Sequence, residues 1–290
     1  MTWKRVLTAA VLIPVVVGVV WLGSTGLVAA LTGLVMLLAL VEFFELGERM
    51  GMRAYRIWTG LCAIGVLFAQ WTVVGFESWT LGGGVGFFLT GGSGVRTPFY
   101  VPVELVLSVF VVGVAVVALA SRRPLGEVLP SVGMSAAGLL AVALPLTYLV
   151  LIYGVEGFGR VLLLFVLVMT WVGDTLAYFV GRTLGRTPMA AAISPKKTWE
   201  GAAANLLGAM LVGWLFTRWL PIEPRHVLAM AVLGNIAGQA GDLLESAYKR
   251  SAGVKDSGGV LPGHGGVLDR IDALILTAPV VWYYFSLVVK

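Results

Sequence analysis

Residues 160–181 read RVLLLFVLVMTWVGDTLAYFVG, an arginine followed by an apolar run in which Asp174 is the single charge. A hydrocarbon core about 30 Å thick takes about 20 helical residues to cross. Backbone polar groups in lipid must be satisfied within the segment, so the stretch reads as a transmembrane helix. An ionisable group inside such a helix is costly and marks either a buried pair or a functional cavity.

Working outward, further apolar runs of that kind lie at 6–22, 26–47, 55–75, 101–120, 131–153, 201–220, 226–245 and 271–289. The expected fold is all-α and polytopic, with about nine transmembrane helices. The composition agrees: of 290 residues 59% are hydrophobic and 12% charged, and mean hydropathy is +0.94, whereas a soluble domain carries roughly twice that charge. No fixed-period repeat or polar linker divides the chain. It is read as one membrane domain, 1–290, with N-terminal spans over 1–153 and catalytic spans and loops over 160–290. Val6–Leu22, after Lys4 and Arg5, is long for a secretory signal core and is followed at once by another span, so it is read as retained.

Placing the N-terminus in the cytoplasm and alternating across nine spans leaves five of the 20 Lys and Arg residues outside (Arg96, Arg160, Arg218, Arg225 and Lys290) and 15 inside. That asymmetry predicts N-in, C-out. Two basic segments, Arg182–Lys197 and Lys249–Arg270, then face the compartment holding nucleoside triphosphates. The net charge of +5 is segregated into short loops, which suits anionic lipid or phosphate; no nucleic-acid partner is expected. The stretch 75–100, with Gly82, Gly83, Gly84, Gly86, Gly91, Gly92 and Gly94, reads as a flexible or re-entrant connection.

Two histidines, His226 and His264, and one cysteine, Cys62, leave no room for a disulfide, a clustered zinc site or a CxxC motif. Any metal is expected to be held mainly by oxygen. The last third concentrates charge beside apolar spans: Ser246-Ala-Tyr-Lys249-Arg250, then Lys255-Asp256, then Pro262-Gly-His264-Gly-Gly-Val-Leu-Asp269-Arg270-Ile-Asp272. Asp242, Glu245 and Lys249 share one face if helical. The glycines around His264 permit close approach to a bulky anion, as phosphate-cradling loops require. The bland alternative, a solvated loop of topology-setting lysines, does not account for the order of these residues.

Ser246–Asp272 resembles the signature of the phosphatidate cytidylyltransferases, or CDP-diacylglycerol synthases. The likeness extends upstream through Asp174-Thr-Leu-Ala-Tyr178, Gly181-Arg182, Gly185-Arg186, Ser194-Pro-Lys196-Lys197-Thr-Trp-Glu-Gly201 and Gly241-Asp242-Leu243, so it covers roughly the C-terminal 120 residues. Leu176 stands where the family pattern has a small residue, which puts local helix packing in question. The resemblance implies an integral enzyme of the cytoplasmic (inner) membrane, a homodimer with its site facing the cytoplasm. It implies transfer of CMP from CTP, or dCTP, to phosphatidic acid, giving CDP-diacylglycerol and pyrophosphate.

The residues make physical sense for that reaction. The nucleophile is itself an ionised phosphate, so no strong general base is required. Two anionic partners must be brought together and charge on the departing pyrophosphate stabilised. Mg²⁺, with a second cation left open, is expected on Asp242 and Asp269, supported by Asp256 and Asp272. Lys249, Arg250, Lys255, His264 and Arg270 are expected to meet phosphate, and Asp174, Ser194, Lys196, Lys197 and Ser246 to contact substrate. Tyr178 reads as a packing residue, and Trp199 equally as an interfacial anchor or a site residue. A transporter using Asp174 and Asp242 as a cation relay lacks inverted repeats and leaves the ordered loop without purpose. A non-catalytic scaffold would have no reason to keep every acidic and basic position.

Overall fold

The computed structural model describes residues 2–80, 88–90, 96–259 and 265–290. The helices are α1 (Thr2–Leu22), α2 (Thr25–Arg49), α3 (Arg56–Thr80), α4 (Val103–Ala120), α5 (Leu125–Gly138), α6 (Leu144–Tyr153), α7 (Gly159–Thr183), α8 (Trp199–Phe216), α9 (Pro224–Ser251) and α10 (Leu268–Tyr284). Two antiparallel hairpins interrupt them, β1 (Phe88–Thr90) with β2 (Arg96–Pro98), and β3 (Pro188–Ala190) with β4 (Ser194–Thr198). The glycines expected to loosen the 75–100 connection, at 82–84, 86, 91, 92 and 94, lie outside the described residues, as does His264.

Among the described residues, seven helical segments are long and apolar enough to cross a membrane. α5 and α6 form one of them, joined by a π-helical turn, Leu139–Ala143, as a 29-residue segment. Pro145 follows that turn; proline lacks an N–H and crowds the carbonyl four residues back, a misfit that a widened turn absorbs. Of the expected runs, 6–22 and 201–220 are helical, yet α1 contributes only a shorter apolar stretch, Leu12–Leu22, and α8 stands outside the seven.

The chain forms two compact units, residues 21–157 and residues 1–20 with 158–290. In the first, Met36, Leu40, Phe43 and Phe44 of α2 are buried, and Leu40 and Phe44 pack at Gly138 of α5. Gly138 is required there, because a Cβ would sit 2.5 Å from the Phe44 ring. The Tyr55 N–H donates to Ser135 Oγ at 2.7 Å and the Tyr153 hydroxyl to the Gly23 carbonyl at 2.7 Å, tying helix ends together.

In the second unit, small residues set how closely helices approach. Lipid supplies no hydrophobic drive between helices, so packing depends on backbones meeting tightly. On α7 and α8, Gly181 and Gly201 face one another, a Cβ at Gly201 lying 3.3 Å from the Gly181 Cα. Leu176 turns out to have its own accommodation: it packs over Gly208, where a Cβ would come within 2.7 Å of its Cδ1. Along α9, Gly234, Gly238 and Gly241 recur at helical spacing against α10, and a Cβ at Gly241 would meet the Asp272 carbonyl at 2.6 Å. That approach sets Asp242 of α9 beside Asp272 of α10.

Candidate active site

The second unit holds a cleft of about 390 Å³ where α7, α8, α9, the start of α10 and the β3–β4 hairpin meet. Seven of the residues singled out in the sequence line it: Asp174, Lys196, Lys197, Asp242, Asp269 and Asp272, and also Tyr178, which the sequence reading took for packing. They come from four elements separated by up to about a hundred residues of chain, and the glycine-mediated helix contacts bring them together.

The cations and carboxylates are already paired in part. Lys197 Nζ lies 2.7 Å from Asp242 Oδ1 and 3.5 Å from Ser246 Oγ, joining β4 to α9. Asp272 lies within interaction range of Asp242 and Glu245 and accepts from the Ala273 N–H at 2.7 Å. Lys249, 11% exposed, bridges Glu245, one turn earlier on α9, and Asp269 Oδ1 at 2.6 Å. Asp269 Oδ2 accepts from the N–H groups of Ser257 at 3.0 Å and Gly266 at 2.8 Å. Asp269 therefore gathers the described ends of the 252–267 loop around the mouth of α10. Gly265 has φ +78°, and a Cβ there would sit 2.7 Å from Asp269 Oδ2, so glycine is needed twice over.

The remaining expected residues stand back from the cleft wall. Arg250 donates from Nε to the Ile193 carbonyl at 3.1 Å and from Nη1 to the Val254 carbonyl at 3.0 Å, fastening the end of α9 to the hairpin turn. Lys255, Asp256 and Arg270 are exposed on the loop and at the start of α10. Ser194 begins β4, half-buried, and Ser246 is buried on α9. At the other end of the hairpin, the Thr187 N–H donates to both Glu200 oxygens at 3.2 and 3.3 Å. The backbone N–H of Glu200 itself, with those of Arg186 and Thr187, holds that carboxyl below its ordinary value.

Sequence reasoning missed a line of amides beneath the cleft. Asn205 Nδ2 donates to Asp174 Oδ1 at 3.2 Å, Asn235 Nδ2 to Asn205 Oδ1 at 2.6 Å, and Gln239 Nε2 to Asn235 Oδ1 at 2.7 Å. Asn205 and Asn235 are each 6% exposed. Lone amides inside apolar helices were the available signal, since a buried polar side chain requires a partner.

The donor set fits a hard divalent cation. Asp174, Asp242, Asp269 and Asp272 supply oxygen alone to one cleft. Among the described residues no group of three or more His, Cys, Asp and Glu side chains forms a ready-made cage, but Mg²⁺ is ordinarily held by one or two carboxylates and completes its shell with water and substrate phosphate.

In a helical chain with membrane-length apolar helices, one cleft thus carries both carboxylates and lysines. Comparison places it further: the chain belongs to the cytidylyltransferase family, whose sequence profile matches residues 3–288. A phosphatidate cytidylyltransferase of Bacillus subtilis (strain 168) is 38% identical over 142 residues, 48% of this chain and 53% of that protein. One from Thermotoga maritima is 36% identical over 196 residues, 65% and 72% of the two chains. A chloroplastic phosphatidate cytidylyltransferase of Arabidopsis thaliana is 46% identical over 116 residues, 39% and 29%. The chain thus spans about half the length of the Bacillus relative that it matches.

Proposed function

We propose that this protein transfers CMP from CTP, or dCTP, to phosphatidic acid, releasing pyrophosphate. The observation that carries the reading is the meeting of Asp174, Asp242, Asp269 and Asp272 with Lys196 and Lys197 in one cleft beside lipid-spanning helices. Relatives named phosphatidate cytidylyltransferase support the same assignment. In the reaction an oxygen of the phosphatidate phosphate forms a bond to the α-phosphorus of CTP. The bond from that phosphorus to the bridging oxygen breaks, and pyrophosphate departs with the electron pair.

Lys196 and Lys197 neutralise phosphate at the cleft wall, Lys249 fixes Asp269 at the mouth, and Lys255, His264 and Arg270 are the further candidates to meet the triphosphate. Asp242 and Asp269 would hold Mg²⁺, with Asp272 beside Asp242 as a further oxygen donor. When bound, the metal supplies charge neutralisation at the α-phosphate and the leaving pyrophosphate. The assignment extends to a single inner-membrane domain of nine spans, N-in, with its site facing the cytoplasm, working as a homodimer.

The test is conversion of labelled CTP into a lipid-soluble product by purified protein in detergent, with and without phosphatidic acid and Mg²⁺. Product that requires both supports the reading. No product from a folded, metal-replete preparation across several phospholipid acceptors would shift it to a cation pathway through Asp174 and Asp242.

A further inference from the structure

The unit of residues 21–157 has a cavity of its own, about 530 Å³, which the nucleotidyl-transfer reading does not use. Three arginines converge on it from separate parts of the chain: Arg53 from the turn after α2, Arg56 from the start of α3, and Arg123 from the turn between α4 and α5. With Glu48 as its one acidic lining residue, the cavity carries an excess of positive charge.

The arginines differ in how they are held. Arg123 is locked: Nη1 donates to the Arg53 carbonyl and to Ser131 Oγ at 2.7 Å, Nη2 to the Ala54 carbonyl at 3.2 Å, and its guanidinium stacks 4.4 Å above the Tyr55 ring. Arg56 is only partly satisfied. Its Nη2 lies 3.0 Å from Glu48 Oε2, but Nε is buried without a hydrogen-bond partner. A buried donor in that condition costs free energy that an anionic acceptor would recover. Arg53 is exposed at the rim.

The other wall is apolar and faces outward. Ile57 is 82% exposed and Leu61 58%, one turn apart on α3, and Trp58 donates from Nε1 to the Phe110 carbonyl at 3.2 Å. α2 ends, α3 begins and α4 ends at this level, where arginine and tryptophan mark the boundary between hydrocarbon and headgroups.

We propose that this cavity binds the phosphate-bearing headgroup of an anionic phospholipid, seated between Arg53 and Arg56, with its acyl chains along Ile57 and Leu61. A soluble phosphate would satisfy the arginines and leave that apolar wall without a role.

The full chain is reconstituted in nanodiscs of phosphatidylcholine with increasing phosphatidylglycerol, and the thermal unfolding midpoint is followed, a readout independent of turnover. Phosphatidylglycerol is expected to raise the wild-type midpoint. The fraction giving half the effect should rise about fivefold in Arg53→Gln and further in Arg53→Gln/Arg56→Gln. Arg53→Gln carries the test if the double variant does not fold, since its side chain is exposed. A phosphatidylglycerol response unchanged in Arg53→Gln overturns the proposal. So does abolition of the wild-type response by inorganic phosphate or pyrophosphate, which would assign the cavity to a soluble anion.

Discussion

Asp269 is where the loop, α9 and α10 are tied together, through Lys249 on one oxygen and two backbone N–H groups on the other. Asn has the same shape but no charge, and charge-assisted hydrogen bonds are roughly twice as strong as neutral ones. Asp269→Asn should therefore lower turnover of CTP with phosphatidate by about a hundredfold or more while the protein still folds in detergent; near-normal turnover would remove Asp269 from the metal and loop assignment. Asn205 is the second test at this scale, because it donates to Asp174 and accepts from Asn235. Asn205→Ala leaves the buried Asn235 amide without its acceptor and should cost about 1–3 kcal/mol of stability, read as a lower unfolding midpoint; an unchanged midpoint would mean that water replaces the amide. The two residues differ in how visible they were. Asp269 stands in an ordered run of charges at the mouth of a span, whereas Asn205 is a single amide in an apolar helix whose partners lie 31 residues before it and 30 after it, and local pattern carries no record of such pairs.

Helix–helix approach decides whether those residues meet. Gly241 touches backbone, the Asp272 carbonyl, which cannot swing aside as a side chain can. Gly241→Ala should push α9 from α10, cost about 1–3 kcal/mol and reduce turnover by separating Asp242 from Asp272. Gly60→Ala on α3 has nothing within 4 Å of the added Cβ and should be neutral or stabilising; equal loss in both would show that the effect belongs to glycine in general. The β3–β4 hairpin invites a pH test. Glu200's carboxyl is held below its ordinary value of 4.5, so its contribution is present above that pH and is lost as pH falls through the lowered folded value. Protection of the Thr187 amide, its exchange rate relative to the intrinsic rate at the same pH, should fall over that acid range and be weaker at neutral pH in Glu200→Ala; identical protection would detach Glu200 from the hairpin. The apolar runs were legible because each must bury about 20 residues in lipid. The β3–β4 hairpin was not, since its strands are three and five residues long, too short to carry a strand pattern of their own.

At the scale of the whole chain, the proposed orientation can be tested at α9. Its 28 residues extend about 42 Å at about 1.5 Å each, more than the roughly 30 Å hydrocarbon core, so a helix that crosses must put Arg225 and Lys255 at opposite faces. Both side chains are exposed. The chain's single cysteine, Cys62, is buried, so a Cys62→Ser background gives a clean reporter for single substitutions. Lys255→Cys should react with a membrane-impermeant maleimide only in inside-out vesicles, and Arg225→Cys only in intact, right-side-out ones, if the proposed function is right in putting Lys255 on the side that holds CTP. Labelling of both from one side would mean that α9 does not cross, which would also dissolve the case for a cleft opening on the cytoplasm. The mirror-image result would keep the span and reverse the molecule: the basic loops would then lie outside, away from nucleoside triphosphates, and the proposed substrate would have no access to Lys196 and Lys197. The orientation assay therefore tests the reaction as well as the topology, since a nucleotidyl transfer that draws on CTP requires the Lys255 face to be the cytoplasmic one.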